Sequence, residues 1–321
     1  MKIGLLYGGI SFEREVSIKS SKSIKFGINE YIKKSNIDLE LIDIPFDGDC
    51  SSGILYEQIK KYEIDLVFNS LHGGDGENGN VQKLLENMGI PFTGSGSEAC
   101  KKAMNKSITK NICKKNNIPV PNGLVVSDCS QLFYINEFQK EVLRSNKLIV
   151  KPIDEGSSAD LYIVPNNRCG GLNISLQDVT RNMLKKYESF LLEEYIEGRE
   201  LTVSILDGIP LPIVEIIPKN SFYNYEAKYE SGMSEYIVPA KIDFKIQKEI
   251  KKYALELYNL LGCRHYSRID IRLDNENNIY LLELNTLPGM TSTSLFPKSA
   301  LEDGITFQEL ISILINLAKN E

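Results

Sequence analysis

The opening hundred residues constrain the fold most. An apolar run over residues 2–7 (KIGLLY) stops at Gly8-Gly9, and a Ser-, Glu- and Lys-rich amphipathic stretch follows over 13–34. Further apolar segments lie at 39–45 and, as DLVFNSL, at 65–71. Strand, glycine turn, helix, strand is the βαβ rhythm of a parallel sheet. Open sheets of this kind bind ligands at the carboxyl ends of their strands. Here those ends carry Gly8-Gly9-Ile10-Ser11 and His72-Gly73-Gly74-Asp75-Gly76. No GxGxxG follows the first strand, which weighs against a dinucleotide-binding oxidoreductase.

The pattern changes further along. Turn residues concentrate in PFTGSGS (91–97), a boundary signal. Residues 98–117 are Lys-rich and read as one helix, ended by Pro119 and Pro121. LIVKPIDEGSSADLYIV (148–164) reads as two strands around a Gly/Ser loop, and a helix over 176–187 leads to the strand FLLEEYI. From 199 apolar and polar residues alternate (ELTVSIL, PIVEII), as antiparallel strands require. An amphipathic helix covers 244–261. The strands YSRIDIRL and IYLLELN flank the turn residues 274–278, a hairpin signal. A loop at 286–296 and a helix at 306–319 follow. The fold class is therefore α/β at the N-terminus and α+β in the C-terminal part.

The chain of 321 residues has 37 basic and 43 acidic side chains, a net charge of −6, so no general nucleic-acid surface is expected. No apolar run approaches the ~18 residues of a membrane span. The first apolar segment is too short for the core of a signal peptide, which points to a cytoplasmic protein. None of the six cysteines is spaced as CxxC, consistent with free thiols in a reducing compartment. With only His72 and His265, a metal here is expected to be a hard ion held by carboxylates.

Four constellations carry chemistry. Asp270 lies on one strand of the C-terminal hairpin and Glu283 on the other, with Asn285 two residues on and so on Glu283's face. Two carboxylates and an amide oxygen on one face suit Mg²⁺ bridging phosphates; a solvated polar face is the alternative, opposed by the apolar neighbours in YLLELN. Lys151 closes a strand before Glu155-Gly156-Ser157-Ser158, where backbone N–H groups could approach phosphate oxygens, although no GxxxxGK[ST] is present and an ordinary hairpin loop would look the same. Glu193-Glu194-Tyr195-Ile196 before Glu200 ends a strand that could offer backbone groups to a base and a carboxylate to a sugar; a charged strand end is the bland reading. Ser11, Glu13, Arg14 and Glu15 open the first helix, where the helix dipole accounts for an acidic residue but not for the whole cluster.

These segments occur in the order of one family. LYGGISFEREVSIKS (6–20), SLHGGDGENGNVQKLLENMGIPFTGSGS (70–97), IVKPIDEGSS (149–158), FYNYEAKY (222–229), SRIDIRL (267–273) and LLELNTLPGMTSTSLFP (281–297) resemble the D-alanine:D-alanine ligases of the ATP-grasp superfamily over nearly the whole chain. The resemblance implies a three-domain ATP-grasp fold: an N-terminal parallel-sheet domain over 1–95, a small central domain over 96–191, and a C-terminal domain over 192–321 holding the metal site and a lid within 220–240. It implies joining of two D-alanines through an acylphosphate, with ATP and two magnesium ions, or manganese in their place, in a cytoplasmic homodimer. A related ligase using D-serine, D-lactate or another amino acid as second substrate is the alternative, another ATP-grasp carboxylate–amine ligase a more distant one, and a nucleotide-binding sensor without catalysis, opposed by the filled metal, lysine and oxyanion positions, one of a different class.

By the same resemblance Lys106 and Lys151 bind ATP phosphates, Glu193 and Ile196 the adenine edge, Glu200 the ribose, and Phe222 packs on the base. Asp270, Glu283 and Asn285 are metal ligands. Glu13, with His72, meets the ammonium of the first D-alanine, and Ser157 and Tyr229 link to Glu13. Lys228 lies over the transferred phosphate, Arg268 and the Gly289 N–H form an oxyanion hole, and Ser294 and Leu295 receive the second carboxylate. Two positions depart from the family pattern. Asp160 and His265 stand where glycine is usual, and each needs room or an altered backbone.

Overall fold

The computed structural model describes residues 1–35, 38–128, 131, 147–156, 160–165, 176–218, 234–291 and 293–320. Its first sheet contains β1 (Lys2–Gly8), β2 (Glu40–Phe46) and β3 (Leu66–Asn69), in the order β2-β1-β3 and parallel throughout. The first crossover is α1 (Arg14–Ser35), as the amphipathic stretch predicts. The second contains α2 (Ile54–Tyr62), a short helix that the sequence reading omits. After β3 the chain runs through α3 (Asn80–Met88). Leu55 and Ile59 of α2 and Val81 and Leu85 of α3 pack against Leu6, Ile44 and Val67 on one face of the sheet.

The helix expected over 98–117 is two helices, α4 (Ser97–Met104) and α5 (Lys106–Lys115). Asn105 between them is extended, and its side chain accepts the N–H of Ile108 at 3.0 Å. An asparagine cap competes with helix continuation, and the break puts Lys106 in the first turn of α5.

A second sheet holds β4 (Gly123–Val126), β5 (Lys147–Pro152), β6 (Tyr162–Pro165) and β7 (Phe190–Glu194), in the order β4-β7-β5-β6 with antiparallel neighbours. Val179 and Met183 of α6 (Leu176–Lys186) pack with Leu148, Val150 and Leu192. The third sheet contains β8 (Gly198–Leu206), β9 (Ile209–Pro210), β10 (Val214–Pro218), β11 (Ser234–Ile237), β12 (Tyr266–Asp274) and β13 (Ile279–Asn285), in the order β11-β10-β8-β12-β13 with β9 beside β8. Its β12–β13 hairpin is the one expected. Ala254 and Leu257 of α7 (Phe244–Leu261) cover one face by packing on Val203, Ile269 and Ile271, which leaves the other face for chemistry.

The expected loop at 286–296 gives way at Leu295 to α8 (Leu295–Glu302). Then α9 (Phe307–Lys319) starts from a reciprocal cap between Thr306 and Glu309. Its residues Leu310, Ile311, Leu314 and Ile315 pack with Ile24 and Ile28 of α1 and Ile3 and Leu5 of β1. Burial of each such aliphatic side chain stabilises the fold by roughly 2 kcal/mol. Gly27 permits the approach: a Cβ there would lie 2.8 Å from Ile311 Cγ1.

Candidate active site

At the carboxyl end of β1 the chain turns through Gly8 and Gly9 into α1. The Ser11 hydroxyl donates to the carbonyl of His72 at 2.6 Å and accepts the Glu13 N–H at 3.2 Å, which fastens the entry to α1 onto the loop after β3. Glu13 is buried between two backbones. A Cβ on Gly73 would sit 2.8 Å from its Oε2 and one on Gly156 3.0 Å from the same atom, and Gly73 also has φ +67°. Glycine at Gly73 is thus required by both contact and conformation.

Beside Glu13, His72 reaches Ser20 Oγ with Nε2 at 3.2 Å and stands 3.7 Å from Glu77 Oε1 with Nδ1. Burial pushes the Glu77 carboxyl above its ordinary range, and the Glu13 charge adds to this while His72 opposes it. Two carboxylates and an imidazole in a buried corner suit a substrate ammonium. Ser20 Oγ also accepts the N–H of Met290 at 3.3 Å, tying this corner to the loop before α8. There Ser294 Oγ accepts the Thr291 N–H at 3.0 Å, and a Cβ on Gly289 would come within 2.9 Å of that hydroxyl. Ser294 and Leu295 open α8, whose N-terminal N–H groups favour a carboxylate.

The open face of the third sheet lines up by register. Across β8 and β12, Glu200 faces Arg272, Thr202 faces Asp270 and Ser204 faces Arg268. Across β12 and β13, Asp270 faces Glu283 and Arg268 faces Asn285. Successive pairs are two residues apart, about 6.7 Å along the strand. Arg268 grips Asp270 with Nε on Oδ1 and Nη2 on Oδ2, both at 2.8 Å. The Thr202 hydroxyl donates to Asp270 Oδ1 at 2.7 Å, and Asn285 Nδ2 donates to Oδ2 at 3.2 Å. The register shifts after Asp270, which makes Leu282 an extra residue on β13 and directs it, like Glu283, into a cavity.

The lysines converge from the second sheet and α5. Lys106 Nζ donates to the Glu155 carbonyl at 2.5 Å and lies 3.8 Å from Glu283 Oε2. Lys151 Nζ is 2.8 Å from Glu193 Oε2, and Lys110 closes on the other oxygen of the same carboxylate. Burial acts to raise the Glu193 carboxyl, but the two ammonium groups outweigh it and hold it below its ordinary value. Burial pushes the Lys110 ammonium down. Glu193 is 2 % exposed, so its side chain serves as the anchor of two lysines, a role the sequence reading does not assign.

Two adjoining cavities collect these groups. The first is lined by Lys106, Lys151, Glu193, Ile196, Glu200, Asp270 and Glu283. The second is lined by Glu13, His72, Arg268, Asn285, Gly289, Ser294 and Leu295, with Glu283 at the wall shared by both. Ser157, Phe222, Lys228 and Tyr229 lie outside the described residues. Of the expected lid, 234–240 is described, and Tyr236 lines the second cavity.

Among the described residues no three His, Cys, Asp or Glu side chains cluster as a metal site. The donors around Glu283, where the two cavities meet, are its own carboxylate, that of Asp270 in the first cavity and the carboxamide of Asn285 in the second. That all-oxygen set fits a hard divalent ion. Residues that sequence reasoning missed are Lys110, Glu77, Arg272 and Leu282. Lys110 follows Lys106 by four on one helix face, Glu77 follows the glycines of the His72 loop, and Arg272 continues the alternation of Arg268 and Asp270; these signals were available. Nothing in the sequence announces the register shift at Leu282.

The two departures from the family pattern have a common explanation. Asp160 and His265 keep the left-handed backbone that glycine adopts, with φ of 48° and 59°. The Asp160 carboxylate is paired with Lys186 and the Tyr187 hydroxyl, so it is held rather than turned loose on a phosphate. The Nδ1 of buried His265 accepts the N–H of Gly94 at 3.0 Å. Cys50, Cys100, Cys113 and Cys263 are free thiols; Cys129 and Cys169 lie outside the described residues.

Residues 112–316 match the family model described as D-ala D-ala ligase C-terminus, and residues 47–95 match D-ala D-ala ligase N-terminus. A D-alanine–D-alanine ligase of Carboxydothermus hydrogenoformans is 38 % identical, covering 99 % of this chain and 98 % of the relative. One from Fervidobacterium nodosum is 39 % identical, covering 99 % of both. Among solved structures, the D-alanine–D-alanine ligase of Bacillus anthracis superposes with a TM-score of 0.82 at 29 % identity, covering 100 % of this chain and 98 % of that one. Its complex with ATP gives 0.80 at 29 % identity, covering 100 % and 97 %.

Proposed function

The chain belongs to the D-alanine–D-alanine ligase family, and on that premise we propose that it joins two D-alanines into D-alanyl-D-alanine, using ATP, for peptidoglycan precursor synthesis. The observation that carries the residue assignments is the shared wall: Glu283 lines both cavities and faces Asp270 across the ladder. One cavity is rich in phosphate-seeking lysines and the other in groups for a zwitterionic amino acid, so the carboxylate to be activated and the phosphoryl donor meet at that wall.

In this reading Lys106 and Lys151 hold the phosphates, Ile196 and the backbone at Glu193 meet the adenine edge, and Glu200 meets the ribose. Glu13, aided by His72 and Glu77, fixes the ammonium of the first D-alanine so that its carboxylate points at the terminal phosphate. Phosphorylation converts that carboxylate, a poor electrophile, into an acylphosphate with a good leaving group. Ser294 and Leu295 hold the carboxylate of the second D-alanine, whose free amine attacks. Arg268 and the Gly289 N–H then stabilise the oxyanion of the tetrahedral intermediate. Asp270, Glu283 and Asn285 would hold magnesium, two ions in the family pattern or manganese in their place, which when bound offsets charge on the transferred phosphoryl group. Phe222, Ser157, Lys228 and Tyr229 complete the proposal as the adenine-packing aromatic and the closing lid over a water-sensitive acylphosphate.

The division into 1–95, 96–191 and 192–321 belongs to the same proposal. Three separate sheets support it, with β7 running past the second boundary to Glu194. A cytoplasmic location and a homodimer belong to the same proposal; among the described residues no helix is long and apolar enough to cross a membrane, and exposed Phe26 and Leu301 line one apolar groove. Sedimentation velocity tests the dimer. The decisive experiment for the reaction is mass-spectrometric identification of the product with D-alanine, D-serine and D-lactate competing. D-alanyl-D-alanine is expected to dominate at pH 7.5, and a mainly mixed dipeptide or depsipeptide product overturns the assignment.

A further inference from the structure

Arg272 lines the nucleotide cavity, yet neither the phosphate-binding nor the metal-binding roles use it. It stands directly across the ladder from Glu200, and its Nη2 is 3.2 Å from Glu200 Oε2. Its Nη1 donates to the Gly198 carbonyl at 3.1 Å, and its guanidinium lies 5.5 Å from the centre of the Tyr195 ring. Both side chains of the pair are mostly buried, 12 % and 13 % exposed. The guanidinium is thus held by a carbonyl, an aromatic ring and a carboxylate, on the strand that presents Asp270 two residues away.

We propose that Arg272 is a positioning residue for the nucleotide's ribose, and that by fixing Glu200 it sets the preference for ribonucleotides over deoxyribonucleotides. This rests on the reading of Glu200 as the ribose-binding carboxylate. A glutamate side chain has three rotatable bonds and gains hydration by swinging toward solvent. An arginine fork anchored at two further points removes that freedom, so the carboxylate meets a ribose hydroxyl without being reordered first. A hydroxyl bound to a fixed, mostly buried carboxylate discriminates strongly, because its absence leaves the acceptor short of a partner. The expected preference is about tenfold or more in affinity.

The test measures binding of ATP, 2′-deoxyATP, 3′-deoxyATP and GTP by calorimetry, in the presence of Mg²⁺, to the full-length protein and to E200Q, R272M and R272K. The wild type should prefer ATP to one of the deoxy analogues by about tenfold or more, while E200Q and R272M should fall below about threefold. R272K, with the charge but not the fork, should lie between them. If E200Q keeps the preference, Glu200 does not read the ribose and the inference falls with that assignment. If E200Q loses the preference and R272M keeps it, the ribose assignment stands and the role of Arg272 is wrong. A change in the ATP-to-GTP ratio at constant ribose preference would place Arg272 against the base and overturn the inference. Should R272M melt below the assay temperature, R272Q, uncharged like R272M but polar, carries the same test.

Discussion

Asp270 faces Glu283 across the β12–β13 ladder, and Asp270 is also clasped at both oxygens by Arg268, two residues earlier on its own strand. One carboxylate is therefore shared between a cation of the protein and the place where a metal ion would sit. Loading that place must compete with Arg268, which already lines the second cavity, where the proposed oxyanion would form.

Asp270→Asn and Glu283→Gln should each lower turnover by about a hundredfold or more, since each removes one anionic donor facing the phosphoryl group. Circular dichroism melts should show the fold retained. Activity within about tenfold of wild type in both variants would remove the metal assignment.

Arg268→Ala should act on the chemical step. Loss of one oxyanion donor typically costs roughly 10²–10³ in kcat, and the KM for ATP should stay within about threefold. Steady-state kinetics separate the two. A large rise in the KM for ATP with kcat preserved would make Arg268 a nucleotide-binding residue.

The Lys110–Glu193–Lys151 cluster predicts an asymmetry. Lys110→Met leaves Glu193 paired with Lys151 and should change stability by no more than about 1 kcal/mol, because an excess buried charge goes with it. Glu193→Gln leaves two buried ammonium groups without their anion and should cost about 3 kcal/mol or more. Urea unfolding of the two variants reads the difference directly, and equal costs would contradict the shared-anchor geometry.

Legibility in the sequence followed the range of the interaction. Period-two alternation in IYLLELN is a local property, and it was enough to put Glu283 and Asn285 on one face. Opposition of Asp270 to Glu283 depends on pairing between strands, which alternation permits but does not choose. The shift that directs Leu282 into the cavity arises in the ladder itself. Lys-rich composition concealed the break at Asn105, because lysine is as good a helix former after the cap as before it. Glu193 read as a strand-end charge because its two lysines come from another strand and another helix, far from it in sequence.

His265 predicts a pH dependence. Burial, reinforced by Arg264, lowers its imidazole from the ordinary 6.5 to about 4, and Nδ1 must stay unprotonated to accept the Gly94 N–H. The unfolded chain takes up this proton at a higher pH than the folded one, so the stability gained from neutral His265 is full above about pH 6.5 and drains away toward pH 4. By pH 5 the loss should reach about 2 kcal/mol. His265→Gly, which suits the φ of 59°, should flatten the decline between pH 7.5 and 5 in denaturant titrations; an unchanged slope would assign it to other groups.

The packing of α9 on α1 and β1 has a consequence for how the chain is made. Tyr31 and Asn316, whose side chains meet between these helices, are 285 positions apart. While the N-terminal sheet leaves the ribosome, the apolar stripe of Ile24 and Ile28 has β1 on one side but lacks the cover of α9 until that helix has been synthesised. During that interval the half-built protein carries a helix-shaped apolar gap, the kind of transiently exposed surface that makes incomplete chains prone to aggregate.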